Sequence, residues 1–220
     1  MHYAFIRKTI GPAALRRVTV EGLEHVPQHG PYLVAANHQS YTDAVQIVLP
    51  LVLHRDHKAW FPTTEHVWRS FSMFGGRRVL TWLGMIPILS SNKAEALAPA
   101  LQILRNGGVI GIFPEGRRNK PGINPDWEHV LLKGKTGAVR LALTVGCPVV
   151  PVGIVAPRGF HVLQAIANFI RRDQPAIVRF GDPLLFAKTD PSTFTYEMIT
   201  RETARLMRAI GALCRKEYRY

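Results

Sequence analysis

Short apolar runs, each followed by a stretch with helical spacing, constrain this chain more than any other feature. Residues 31–36 (Pro-Tyr-Leu-Val-Ala-Ala), 109–113 (Val-Ile-Gly-Ile-Phe) and 149–155 (Val-Val-Pro-Val-Gly-Ile-Val) are short and almost wholly apolar, the pattern of strands buried on both faces. Further strands are expected at 18–22, 58–62, 84–88 and 177–180. Between them, Ala94, Leu97, Leu101 and Leu104 recur at helical intervals within 93–105, and Gly107-Gly108 closes that helix. Helices are also expected at 44–53, where Pro50 limits the length and Ser40 or Thr42 supplies the N-cap, and within 67–83, 136–145, 160–172 and 196–217. Residues 116–128 are polar, hold Gly and Pro, and read as a loop. Alternation of this kind predicts an α/β fold with a mainly parallel or mixed sheet flanked by helices. No repeat, linker or low-complexity tract divides the chain, so residues 18–220 are read as a single domain behind a distinct segment, 1–17.

The charge balance points to an anionic partner. Lys and Arg number 28 against 15 acidic residues, for a net charge of +13. The excess is spread as pairs such as Arg16-Arg17, Arg77-Arg78, Arg117-Arg118 and Arg171-Arg172, which describes a basic face on a folded body rather than a tail. Segment 1–17 mixes Tyr3, Phe5, Ile6, Ile10 and Leu15 with Arg7, Lys8, Arg16 and Arg17, and suits either a basic amphipathic element at a lipid surface or a helix packed on the domain. A nucleic-acid-binding module is the competing non-enzyme reading of +13, but basic residues are not interleaved with stacking aromatics. The longest uncharged run, 141–157, is broken by Gly146-Cys147-Pro148 and Pro151, so a membrane span is not expected. With no signal peptide evident either, the expectation is a cytoplasmic protein associated peripherally with the inner face of the cell membrane. Two cysteines, Cys147 and Cys214, in no Cys/His cluster, point to reduced thiols and to no metal site.

Two predicted strand ends carry the residues with chemical potential, as open α/β sheets favour. The first delivers Asn37-His38 and then Asp43. A carboxylate that accepts a bond from one imidazole nitrogen leaves the other free to take a proton, and a turn between the two allows Asp43 to fold back on His38. The second delivers Phe113-Pro-Glu-Gly-Arg-Arg118. Gly116 permits close approach of a ligand to the backbone, Arg118 offers a planar fork for phosphate, and Arg117 and Lys120 add positive charge.

In their order and separation, these segments resemble the glycerolipid acyltransferase family, the group that includes 1-acylglycerol-3-phosphate acyltransferases. The resemblance spans residues 18–155. It rests on Asn37-His38 with four residues before Asp43, on Phe113-Pro-Glu-Gly-Arg-Arg118, on Pro148-Val-Val-Pro-Val-Gly-Ile154, and on Lys135-Thr-Gly-Ala138. Arg117 stands in a slot usually held by threonine. In Gly84-Met-Ile-Pro-Ile-Leu-Ser90, Ser90 stands where an arginine that helps hold the acceptor's phosphate is usual. The resemblance implies direct transfer of a fatty acyl group from acyl-CoA or acyl carrier protein to a lysolipid hydroxyl, with no cofactor. His38 would be the base, Asp43 its partner, and backbone amides at the start of the following helix would stabilise the oxyanion. Glu115, Gly116, Arg117, Arg118 and Lys135 make up the implied substrate-binding set, with Glu115 orienting the others through hydrogen bonds. Acylation of glycerol 3-phosphate, a lyso-ornithine lipid or a glycolipid are alternative outcomes of the same chemistry.

Overall fold

Seven strands form one mixed sheet in the order β1-β7-β6-β2-β5-β3-β4. The computed structural model of the chain describes residues 18–64, 76–82, 84–88, 93–156 and 175–220, with Arg16, Gln164 and Ala167. The strands are β1 (Val18–Glu21), β2 (Tyr32–Ala36), β3 (Ala59–Thr64), β4 (Met85–Ile88), β5 (Val109–Ile112), β6 (Val149–Val155) and β7 (Ala176–Phe180). The helices are α1 (Asp43–Pro50), α2 (Gly76–Trp82), α3 (Lys93–Arg105), α4 (Gly137–Val145) and α5 (Tyr196–Cys214). Segment 1–17 apart from Arg16, most of the helix expected at 160–172, Ser90, and the expected helix before Gly76 lie outside the described residues.

β2 is the central strand, parallel to β5 on one side and to β6 on the other. All five of its residues are buried. Leu33 and Ala35 point into a core shared with α3, α4 and α5, whereas Tyr32, Val34 and Ala36 point into a core shared with Ile47 and Leu51 from α1 and its extension. The absence of polar alternation in this run therefore has a direct cause: the strand has no solvent face. Truncating Leu33 to alanine in such a position costs roughly 2–5 kcal/mol. Among the seven described strands β6 and β7 pair antiparallel, so β7 and its parallel neighbour β1 run against the rest.

Two expected boundaries shift. α1 does not simply stop at Pro50: proline has no N–H for the carbonyl four residues back, and the chain widens into a π-helical turn, Leu51–Arg55, closed by Asp56 in the left-handed region at φ 57°. The last helix does not reach 217. It ends at Cys214, where Arg215 turns left-handed at φ 59°, and the residues beyond cross to another part of the molecule, with Val130 and Glu217 forming a β-bridge. α5 begins as its sequence requires, with the Thr195 hydroxyl accepting from the Met198 N–H at 3.2 Å. Among the described residues, no helix is long and apolar enough to cross a membrane.

Candidate active site

The parallel strands β6, β2 and β5 end on the same edge of the sheet, and the turns that follow β2 and β5 meet there. Asn37 fixes the first turn. Its Nδ2 donates to the Ile154 carbonyl at 3.0 Å, and its Oδ1 accepts from the Ile154 N–H at 2.7 Å. Gln39 Nε2 donates to the same carbonyl at 2.8 Å. The end of β2 is thus stitched to β6 by side chains, and His38, held between Asn37 and Gln39, can leave the sheet in only one direction.

The structure brings His38 and Asp43 together. His38 Nδ1 lies 2.8 Å from Asp43 Oδ2. The same oxygen accepts the backbone N–H of Gln39 at 2.6 Å and of Ser40 at 2.8 Å. Asp43 is the first residue of α1 and is fully buried, a site where the helix dipole and converging amides favour a carboxylate. One expectation is overturned here. Neither Ser40 nor Thr42 caps α1 through its side chain. The Gln39 and Ser40 amides are committed to Asp43. Asp43 Oδ1 is buried and has no partner among the described residues.

The His38 ring is fixed on its flat side too. It stacks on Phe113 with centroids 4.1 Å apart and planes 14° apart. Phe113 in turn leans on Phe61 at 5.6 Å. A side chain at Gly111 of β5 would run into the Phe61 ring, so the glycine makes room for that support. With Nδ1 on Asp43 and a side chain 22% exposed, the ring leaves Nε2 without a partner among the described residues.

The turn after β5 holds the backbone of His38. Glu115 Oε1 accepts the His38 N–H at 2.9 Å, and the Asn119 N–H donates to the His38 carbonyl at 2.7 Å. Glu115 Oε2 accepts the Leu132 N–H at 2.9 Å. Burial raises the Glu115 pKa above the ordinary carboxylate value, and the two N–H donors oppose that rise only in part. Glu115 is 3% exposed, with one amide on each oxygen, so its geometry is that of a group orienting the shell.

The expected substrate-binding residues divide into two groups. Arg118 reaches back to the histidine turn: its Nη2 donates to the Tyr41 hydroxyl at 2.8 Å, and its guanidinium lies 3.6 Å from the centre of the Tyr41 ring. Gly116, at φ 68°, is covered by Lys135, whose ammonium nitrogen would lie 2.6 Å from a Cβ at that position. Exposed Lys135 and half-buried Arg118 thus flank the same turn, while Arg117 is exposed and makes no contact among the described residues that would draw it into the cluster. Sequence reading passed over Tyr41, Phe113 as a stacking partner, and Asn119. Only the placement of Tyr41 inside the His38–Asp43 turn hinted at a role. No group of three or more His, Cys, Asp or Glu positioned for a metal ion occurs among the described residues. Cys147 and Cys214 are buried free thiols, each pushed up to about 12 by burial.

Comparison with known proteins identifies the family and the fold. The sequence profile of the acyltransferase family matches residues 17–155. A 1-acyl-sn-glycerol-3-phosphate acyltransferase alpha from Ovis aries is 30% identical over 152 residues, which is 66% of this chain and 47% of that protein. A 1-acyl-sn-glycerol-3-phosphate acyltransferase from Borreliella burgdorferi is 24% identical over 159 residues, 69% of this chain and 56% of that protein. The chain thus spans about half the length of the curated relatives it matches. The crystal structure of a 1-acyl-sn-glycerophosphate acyltransferase from Thermotoga maritima shares the fold, with a TM-score of 0.58 at 22% identity, covering 98% of this chain and 82% of that one.

Proposed function

The chain belongs to the acyltransferase family, and on that premise we propose that it transfers a fatty acyl group from acyl-CoA or acyl carrier protein to the hydroxyl of a lysophospholipid, 1-acyl-sn-glycerol 3-phosphate or a related lysolipid. The observation that carries the proposal is the 2.8 Å contact between His38 Nδ1 and Asp43 Oδ2, which leaves Nε2 unbonded among the described residues. In the step proposed, Nε2 takes the proton of the acceptor hydroxyl as its oxygen attacks the thioester carbonyl. The tetrahedral intermediate then expels the thiolate, which recovers the proton from the imidazolium. Asp43 holds the tautomer and stabilises the positive ring. No acyl-enzyme is required, because the nucleophile belongs to the acceptor. Arg118, fixed against Tyr41, and Lys135 over Gly116 supply positive charge for an anionic head group and so align its hydroxyl. The net charge of +13 suits a protein that collects such substrates from an anionic membrane surface.

Ser90, where the family commonly has an arginine, favours a second reading within the same chemistry: an acceptor whose head group differs from the phosphate of lysophosphatidic acid, such as a lyso-ornithine lipid or a glycolipid. Glycerol 3-phosphate itself is a further candidate acceptor. Incubation with labelled acyl-CoA and a mixture of these acceptors, followed by mass spectrometry of the lipids, identifies the product. His38→Ala is expected to lower its formation by roughly 10²–10⁴-fold, the usual worth of a positioned base. Undiminished turnover by folded His38→Ala protein would refute the assignment.

A further inference from the structure

We propose that the segment following α5, residues 215–220, is a strap that positions His38 through the loop joining β5 to α4. The functional half of this proposal rests on the acyl-transfer reading of His38; the structural half does not. Three tiers of hydrogen bonds connect the strap to the imidazole. In the outer tier, the Glu217 carbonyl accepts the Leu131 N–H at 2.9 Å, and the Glu217 N–H donates to the His129 carbonyl at 2.7 Å. In the middle tier, the stretch so held presents two groups inward: the Val130 carbonyl accepts from Asn119 Nδ2 at 2.7 Å, and the Leu132 N–H donates to Glu115 Oε2 at 2.9 Å. In the inner tier, Glu115 and Asn119 grip the two peptide groups of His38, at 2.9 Å and 2.7 Å.

Side chains anchor the strap along the same loop. Lys216 Nζ donates to the Trp127 carbonyl at 2.6 Å, the Tyr218 hydroxyl accepts the Gly134 N–H at 3.2 Å, and Arg219 meets Asp126 at 2.8 Å. The turn that launches it is equally specific. Arg215 is left-handed at φ 59°, the Lys216 N–H donates to the Gly211 carbonyl at 2.9 Å, and a side chain at Gly211 would strike the Lys216 carbonyl. The inner loop has no regular structure of its own between Ile112 and Gly137. A segment of 24 residues between those two elements loses considerable entropy when fixed, and Glu115 and Asn119 can hold an imidazole still only if something holds them. The strap lies beyond residues 17–155, the part that the family profile matches.

Glu217→Pro tests the proposal directly. It deletes the N–H that donates to His129, whereas Glu217→Ala keeps the backbone ladder and removes only a side chain that meets Arg219. Amide hydrogen exchange, read by mass spectrometry, is expected to quicken by roughly tenfold or more in Glu217→Pro at residues 128–133 and at 37–43, with the α5 amides unchanged. The acyl-transfer kcat is expected to fall roughly tenfold, with both KM values within about twofold, because a loosely held base costs alignment rather than binding. Glu217→Ala should match the wild type in both measurements. Quickened exchange at 128–133 with wild-type exchange at 37–43 and wild-type kcat would overturn the proposal, as would Glu217→Ala reproducing the proline effects. Should Glu217→Pro not fold, Lys216→Met combined with Tyr218→Phe removes two side-chain anchors and is expected to move the same quantities by roughly threefold, no change again overturning the proposal. If His38→Ala keeps full turnover, the acyl-transfer reading falls while the exchange measurement still decides whether strap and turn are coupled.

Discussion

The two ends of β2 each present a histidine with a hydrogen-bonded partner, yet only one end has the makings of a catalyst. Beyond Ala36, His38 Nδ1 meets Asp43 Oδ2 at 2.8 Å; at the opposite end, His57 Nδ1 meets the hydroxyl of Tyr32, the first residue of the strand, at 2.7 Å. The distances do not distinguish them. What differs is the partner and the remaining nitrogen. Asp43 is a carboxylate held by two backbone amides at a helix start, able to compensate a positive ring, and His38 Nε2 has no partner among the described residues and lies beside a basic turn. Tyr32 is a buried phenol whose pKa burial raises, so it has no charge to offer, and the pKa of His57 is lowered, chiefly by burial, although a hydrogen bond to the Gln28 backbone opposes this. In the proposed mechanism the first pair accepts a proton during turnover, whereas the second stays neutral in the fold. A histidine in contact with a polar group is therefore not in itself a site. The counter-charge and the open nitrogen make the difference.

Removing the counter-charge at each end should break the resemblance most visibly. Asp43→Asn is expected to lower kcat by roughly 10²–10⁴-fold, through loss of the tautomer and of imidazolium stabilisation. The matching change at the other end, Tyr32→Phe, should leave kcat at the wild-type value and cost about 1 kcal/mol of stability for one lost hydrogen bond. Steady-state kinetics and urea melts of the two variants read both effects, and a Tyr32→Phe enzyme as impaired as Asp43→Asn would erase the distinction. A smaller effect sharpens the picture of the basic turn beside His38. Arg118→Ala should raise the acceptor KM by about tenfold, the worth of a charge-assisted contact, with the donor KM held within twofold. Equal rises in both would move Arg118 from acceptor binding to general positioning.

The smallest effect is a pH dependence of stability confined to the His57 end. A depressed folded pKa means that the unfolded chain binds the proton more readily than the folded one. The contribution of His57 is therefore complete above its ordinary value of 6.5 and is lost as pH falls through the lower, folded value. Urea midpoints should decline over that acid window in the wild type and decline less in His57→Gln. A midpoint decline of equal size in both proteins would show that other groups govern it.

Much of the fold was open to reading because its signals are local. Continuous apolar runs such as 31–36 and 109–113 became central strands, since a strand with no solvent face needs no polar alternation. Asp43 could be paired with His38 because only a short turn separates them. Phe113, Glu115 and Gly116 stood out because they share one turn after one strand. Contacts between segments far apart in the chain left no such trace. Tyr41 with Arg118, 77 residues apart, and Tyr32 with His57, 25 apart, show no shared periodicity, and neither segment names its partner. Only coordinates could show that the Gln39 and Ser40 amides are bonded to Asp43. The helix ending the chain was read as running to 217 because Arg215, with no glycine at the turn, gives no stop signal.

Composition, apolar runs and turn residues by themselves determined that this chain would fold as a strand-and-helix sheet and would set His38, Asp43 and Arg118 at strand ends. Those features depend on neighbours a few residues away, and such neighbours are written side by side in the sequence. The tertiary structure alone decided that Phe113 would lie flat on the imidazole, that Arg118 would be held on Tyr41, and that residues 215–220 would brace the loop around Glu115. These depend on which distant segments the sheet order brings within about 3 Å, the reach of a hydrogen bond, and a linear pattern carries no measure of that distance.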